Sequence, residues 1–457
     1  MAEKKVKITL RFKAIFCLLL AAFILLASES GIFRRFEALL YDAFFVLTVP
    51  RPPHPAIIII EITDADIKQV GAWPWKRTWH ALMTKALSDM GAKAIFFDML
   101  FPDPSVPSED EIFEAAIKES GNVYLPFALE VESISMDTAV LPNRQFAQWA
   151  RGLGSINIHP DPDGTIRRLR AIYFDRENIK LHIALRMAID YNRYAVDSVD
   201  SQALILKNGT GDKLRINFFE KNTFLLNWYG LWKKTFKHYS YLDVLAAYKA
   251  VKDGRKPEID VRVFDKSICL VAATAVGLPD IKSIPIESVY PGVGIIATAV
   301  SNILQRSIIH TSQLLWWLGL FMLFFMSLVP LVLVSGEKLA HETLGICFFV
   351  MGYLFIVFVL FIHGYVLPAI PPILGFFVSY FTISFYNMWR ITKEKKVFFN
   401  MAITDGLTRL HNIGYFRILL EAAVDLAKKD SSLKLCLLMC DIDHFKENYS
   451  EIHQNYS

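Results

Sequence analysis

The longest apolar runs lie between Leu314 and Tyr386, where three charge-free blocks, Leu314 to Val334, Leu344 to Ile362 and Val366 to Tyr386, stand almost end to end. Each approaches the roughly 20 apolar residues that an α-helix needs to cross a bilayer. A shorter run, Ala14 to Ala27, follows Lys4, Lys5, Lys7, Arg11 and Lys13. It reads as an uncleaved transmembrane anchor over 14–28, because Glu29 spoils the small-residue pattern of a cleavage site. A secretory signal is the alternative.

Between these runs the periods are those of an α/β domain. Ile32 to Leu47 reads as a helical stem with Phe36, Leu39, Leu40 and Ala43 on one side, and Pro50, Pro52, Pro53 and Pro55 follow as a rigid connection. Ala56 to Ile62 is a continuous apolar run, as expected of a strand covered on both faces. Trp79, Leu82, Met83, Ala86, Leu87 and Met90 recur at helical spacing, with Thr78 placed to cap the start and Gly91 the end. Ala94 to Asp98 predicts a second strand and Val123 to Ala128 a third. Between them, Ser108 and Glu111 have capping-box spacing for a helix ending at Gly121. This alternation implies right-handed crossovers and a mainly parallel sheet. Further on come a turn at 161–164, a strand near 166–174, a helix near 181–189, a strand near 267–272 and a helix near 293–304. Residues 190–260 show no clear order.

Composition and charge fit a membrane protein. The 457 residues are 53% hydrophobic with mean hydropathy +0.33, too apolar for a purely water-soluble chain. A net charge of only +4 gives no signature of nucleic-acid binding. Cys269 is the one cysteine of the large middle region, so that region is held by its core and not by internal disulfides. Arg390, Lys393, Lys395 and Lys396 follow the last block, and the positive-inside rule places them in the cytoplasm. Counted back through four spans, residues 29–312 lie outside and 1–13 inside, as expected of a multi-pass protein of a bacterial inner membrane with a periplasmic or extracellular sensor. The spans carry no charged residue, which argues against a transporter.

No nucleophile and base pair stands out in the exported region, and His54, His80, His159 and His182 lack metal-ligand spacing. Asp64, Asp66, Asp98 and Asp103 fall near predicted carboxyl ends of strands, where open α/β sheets bind ligands. Asp64 and Asp98 are the candidates for an extracytoplasmic ligand of unspecified identity, although capping of helices and turns is the plainer account of all four.

At the other end, Met388, Ile391, Lys395, Phe398 and Ala402 alternate steps of three and four within 387–402, a short coiled-coil seam that would make a parallel homodimer. Residues 402–430 then read as a helix-forming run, and LKLCLLMCDIDHFKEN as an apolar strand ending in Asp441 and Asp443, beside Phe445 and Lys446. Paired carboxylates holding Mg²⁺ with a lysine beside a phosphate form a recurring arrangement for phosphoryl transfer.

Two resemblances sharpen this reading. RPPHPAIIIIEITDADIKQVGAWPWKRTWHALMTKALSDMGAKAIFFDMLFPDP, VAATAVGLPD and YPGVGIIATAVSNIL resemble the second class of CHASE domain, an extracytoplasmic sensory module found ahead of cyclases and kinases. DGLTRLHNIGYF and CDIDHFKEN resemble the opening of a GGDEF domain, the diguanylate cyclase that condenses two GTP molecules into cyclic di-GMP. That resemblance implies Mg²⁺ held by Asp441 and the carbonyl of Ile442, a triphosphate along Phe445 and Lys446, and guanine read by Asn448. The family usually has Gly where Arg409 stands and Arg where Ile413 stands. The sequence stops at Ser457, before the signature hairpin, which implies an output module that is truncated and inactive as written. The expectation is therefore an α/β extracytoplasmic sensor domain with a mainly parallel sheet (29–312), α-helical transmembrane segments (14–28, 314–334, 344–362, 366–386), a signalling helix (387–402) and a truncated α/β cyclase fragment (403–457). A non-catalytic receptor that partners full-length cyclases or kinases is the alternative.

Overall fold

The computed structural model describes residues 2–130, 139–175, 178–275, 277, 280–334, 339–406, 408–430 and 432–440. The chain divides into two compact units, Met1–Tyr380 and Phe381–Ser457. In the first unit, helices α1 (Ala2–Glu29) and α2 (Arg34–Thr48) lead into β1 (Ile57–Ile62), α3 (Asp64–Val70), α4 (Arg77–Asp89), β2 (Ala94–Phe97), α5 (Pro107–Ser120), β3 (Val123–Phe127), α6 (Arg144–Ala147) and β4 (Gly152–Ser155). Then follow β5 (Arg168–Arg170), β6 (Ile172–Asp175), β7 (Asn178–Leu181), α7 (Ile183–Tyr191), β8 (Tyr194–Val199), β9 (Ala203–Asn208), β10 (Lys213–Asn217) and β11 (Thr223–Leu225). The domain closes with α8 (Trp232–Thr235), β12 (Lys237–Ser240), α9 (Tyr241–Lys252), β13 (Ile268–Ala273), β14 (Ile281–Ile284), β15 (Glu287–Pro291) and α10 (Gly292–Leu304).

Six of these strands form one sheet in the order β12-β1-β13-β2-β3-β4, and every neighbouring pair is parallel. The mainly parallel sheet read from the strand and helix alternation is the one observed. All six residues of β1 are buried, which is why its run is unbroken by polar alternation. The two faces sort by residue parity. Ile58, Ile60, Ile62, Phe97 and Val271 meet α4, α5 and α9, whereas Ile57, Ile59, Phe96, Leu270 and Ala272 meet α7 and α10.

Several local expectations are corrected. Helix α4 begins at Arg77 with Lys76 before it and no side-chain cap, so Thr78 lies inside the first turn. Helix α5 begins on Pro107, which needs no amide partner there. No side chain caps that turn; Asp110 instead ties down the chain before it, accepting from the Ser105 amide at 2.7 Å. The predicted ends are observed: Gly91 and Gly121 take φ of +89° and +61° just past α4 and α5. The strand expected near 166–174 is split into β5 and β6, which pair with β11 and β7 outside the main sheet. Residues 190–260 are ordered after all. They supply an antiparallel sheet β10-β9-β8, the edge strand β12 and helix α9. β12 is only KHYS, too short to show a period.

Beyond α10 the chain forms α11 (Gln313–Leu328), α12 (Pro330–Leu333), α13 (Leu339–Ile362) and α14 (Ile370–Ile403). Three stretches are helical, long and apolar enough to cross a membrane: Arg11–Glu29, Gln313–Leu333 and His341–Ile362, of 19, 21 and 22 residues. The block 366–386 is not among them. It is loop as far as Ala369 and then the first half of α14, whose first turn holds Pro371 and Pro372 where no intrahelical amide is required. Helix α1 packs on α11 through Ala21, Ile24 and Leu323. Stem α2 turns a different face inward from the one its apolar spacing suggested. Phe36 and Leu39 are exposed, while Phe44 and Phe45 are buried, with the Phe45 and Phe361 rings 4.8 Å apart. The partner helix α13 decides the face, and a stem read alone cannot show it.

In the second unit, Asn412 caps α15 (Ile413–Lys429) by accepting from the Tyr415 amide at 3.0 Å. Arg409 holds φ +58° in the turn before it, a left-handed position that glycine fills without cost. That is the position where the resembled family usually has Gly. Residues 433–440 form no strand, and Leu438 and Met439 are 83% and 90% exposed. No neighbouring strand among the described residues covers them, so apolar character alone does not make a ladder there.

Candidate functional site

The carboxyl ends of β12, β1, β13 and β2 carry a polar cluster on the same face of the sheet as α10. Glu61, the single charged residue in β1, is 4% exposed. Its Oε1 lies 2.8 Å from His238 Nδ1, and both its oxygens lie within 3.1 Å of Lys233 Nζ. Thr274, just beyond β13, donates its hydroxyl to Oε2 at 2.7 Å. Burial by itself would push this carboxyl up. The donors from His238, Thr274 and Lys233 outweigh it and hold the group down at about 2. His238 Nε2 faces the Trp232 carbonyl oxygen at 2.9 Å. Because a carboxylate and a carbonyl only accept, both contacts are hydrogen bonds at once only when the ring carries both protons.

Asp98 follows β2 on the same face, half-buried, and its amide donates to the Val271 carbonyl at 2.8 Å. Burial, and then the nearby Asp280 carboxylate, push its acid up to about 7. Asp280 pairs with Lys282 at 2.6 Å, and its carbonyl accepts from the Gly292 amide that opens α10. The glycines of this helix start are steric requirements. A Cβ on Gly292 would stand 2.8 Å from Asp280 Oδ2, and one on Gly294 would come within 2.8 Å of both Tyr290 and Trp232.

The two sensor candidates read from the sequence therefore part company. Asp98 stands at the same end and on the same face of the sheet, two strands from Glu61 and beside Asp280. Asp64 lies exposed in the first turn of α3, where a carboxylate suits the positive end of a helix. Its neighbour Asp66 is a cap, accepting from the Thr63 amide at 2.7 Å and the Ser240 hydroxyl at 2.6 Å. Trp75 packs its loop on the core, donating to the Gly71 carbonyl at 3.1 Å. Sequence reasoning missed Glu61, Lys233, His238 and Thr274. The signal was present in AIIIIEI, where one glutamate interrupts a fully buried strand and must find donors. His238 and Lys233 sit in the segment whose order was not legible. Among the described residues no three His, Cys, Asp or Glu side chains converge to hold a metal ion. As built, the cluster fixes a buried negative charge with donors from three elements.

A second set of contacts joins this domain to the helices after α10. Arg167 donates to both carboxyl oxygens of Asp42 on α2 at 2.8 and 2.7 Å, and also reaches Asp161 and Asp163. Burial costs this guanidinium, yet the three carboxylates push it further up. One turn earlier on α2, Glu37 Oε1 accepts from the Ala369 and Ile370 amides at 2.8 Å each, and the Tyr41 hydroxyl donates to the Leu367 carbonyl. His310, past α10, bridges to the same connection through Gly364 and Val366. The predicted cytoplasmic residues Asp441, Ile442, Phe445, Lys446 and Asn448 lie outside the described residues.

Comparison with known proteins adds one finding. A sequence model described as the CHASE2 domain matches residues 17–333, more than half of the chain, and stops short of residues 403–457. No curated protein and no solved structure matches.

Proposed function

Since this chain belongs to the CHASE2 family, an extracytoplasmic sensor domain, we propose that it is a transmembrane signalling receptor whose output is a diguanylate cyclase module. The observation that carries the receptor reading is the double attachment of α2. Asp42 is fastened to the sensor body through Arg167, and Glu37 and Tyr41 are fastened to the connection between α13 and α14. A shift of the sensor body against its stem must strain the start of α14. The sensor faces the outside of a bacterial inner membrane, the first half of α14 serving as a fourth span beside the three long apolar helices, and α14 carries the signal inward and pairs two copies through Met388, Ile391, Lys395, Phe398 and Ala402. The cyclase reading rests on DGLTRLHNIGYF and CDIDHFKEN, with Mg²⁺ on Asp441 and Ile442 and GTP along Phe445, Lys446 and Asn448.

One experiment has two arms. In spheroplasts, a membrane-impermeant maleimide should label Lys85→Cys on α4 but leave the native Cys436 and Cys440 unlabelled until the membrane is opened; labelling of both regions from outside sinks the receptor topology. On the reconstituted chain, GTP binding should require Mg²⁺ and be lost in Asp441→Ala. Binding that ignores both refutes the nucleotide site and leaves the sensor reading standing.

A further inference from the structure

At the opposite end of the sheet from Glu61, the amino ends of β2 and β3 border a cavity of about 230 Å³ lined by Lys93, Asn122, Tyr124, Arg151, Asp190 and Tyr191. Its charge is lopsided. Asp190 is the one carboxylate in the lining, and it is already spent on the Tyr124 hydroxyl at 3.0 Å and on Arg186 Nε at 3.1 Å. Lys93 Nζ donates to the Tyr191 carbonyl at 2.6 Å and stands 4.0 Å over the Tyr191 ring, so two of its three donors are left over. Arg151 is exposed beside it, its guanidinium on the Tyr124 hydroxyl, and carries no ion pair among the described residues. Partial burial, and then Arg193, hold the Lys93 ammonium below its ordinary range. The wall also holds an unmet acceptor: Asn122 Nδ2 donates to the Ala92 carbonyl at 2.7 Å, while its Oδ1 is buried without a partner.

We propose that this cavity binds a small hydroxycarboxylate, whose anionic group meets Lys93 and Arg151 and whose hydroxyl answers Asn122. The volume sets the size, since it equals that of about eight waters and falls below the roughly 300 Å³ at which drug-sized pockets begin. The two exposed cations would repel an ammonium-bearing ligand and add little to a neutral one, and an anion without a donor would leave Asn122 orphaned. The site joins β2 and β3 to the last residues of α7, which packs on α10. Only the ligand's part as a stimulus rests on the receptor reading; its binding does not.

The test is calorimetric titration of the full-length protein in nanodiscs with L-malate, succinate and inorganic phosphate. Malate should bind with a dissociation constant of about 1 mM or tighter, and succinate, which lacks the hydroxyl, at least about threefold more weakly. Lys93→Gln and Arg151→Gln should each weaken malate about tenfold, while Lys252→Gln on remote α9 should not. Both variants must keep Cys269 unlabelled, which shows that the sheet is intact. Absence of saturable malate binding overturns the proposal, as does malate binding that neither substitution weakens. Phosphate binding as tight as malate overturns the ligand class. Each of these outcomes is independent of which side of the membrane the domain faces.

Discussion

The two faces of the six-stranded sheet are built for different ends. Against α4, α5 and α9 the packing is closed and aromatic: Phe97, Phe101 and Phe113 meet edge to face around a buried His80. Burial, and then Arg77, drive that imidazole down to about 3, so at neutral pH it is an uncharged core residue. Against α7 and α10 the apolar layer does not close. It continues without a break into Met326, Val329, Tyr353, Val357, Phe361 and Phe376 of the later helices, and it carries Glu61 and Asp98 at its rim. A sealed face can hold a sheet together but has nothing to report to. The open face shares its core with the helices that would have to move.

The largest effect that separates the faces is a cavity on the sealed one. Phe113 is fully buried in that layer, so Phe113→Ala should cost about 3–5 kcal/mol. Cys269 reports the loss. It sits in β13, fully buried, with its thiol pushed up to about 12 by burial, and should react with maleimide only when the sheet opens. Site-resolved labelling should therefore accelerate at Cys269 in the variant, while hydrogen exchange at Ala369 and Ile370 stays as in the wild type. Equal acceleration at both places would mean that the faces are not separable.

A middle-sized effect belongs to Glu61. Its partner Lys233 is largely exposed and rehydrates when the carboxylate goes, so Glu61→Gln should cost about 1–3 kcal/mol at neutral pH, below the cost of breaking a fully buried pair. The sign with pH follows from the depressed carboxyl. Its stabilisation is complete above the ordinary 4.5 and is lost as pH falls towards about 2. Melting temperature measured from pH 5 down to pH 2 should fall less steeply in the variant. Parallel curves would show that Glu61 is not the group responsible.

What was legible in the sequence follows the same division. β1, β2, β3 and β13 were readable because both their faces are apolar, and α4 and α10 because their apolar residues recur at helical spacing. The glycines at 91 and 121 announced helix ends through a backbone need that no other residue meets as cheaply. The site was only half legible. Asp98 could be placed at a strand end, whereas Glu61 was hidden inside the run that identified its strand, and its partners came from residues 233–274, far away in sequence. The inward face of α2 was misread for a related reason, because Phe44 and Phe45 are chosen by Phe358 and Phe361, more than 300 residues on. Local pattern shows which residues are apolar, and only tertiary contact decides which of them turn inward.

The smallest effect tests the open face at its far end. Glu37 is buried against the connection before α14, and burial pushes its carboxyl up to about 7 although the Ile370 and Ala369 amides pull it back. The titratable groups that interact with it are Tyr41 on its own helix and Tyr353 on α13. A raised carboxyl stabilises the contact fully below its ordinary 4.5, and that contribution drains away as pH rises through about 7. From pH 6 to pH 8 the local opening equilibrium at Ala369 and Ile370 should therefore grow about tenfold, after correction for intrinsic exchange. Glu37→Gln keeps an amide oxygen for both backbone donors but has no proton to lose, so its opening should be flat over that range. The same rise in both proteins would assign the pH response to another group, and α2 would then be a passive strap between the sheet and the membrane helices.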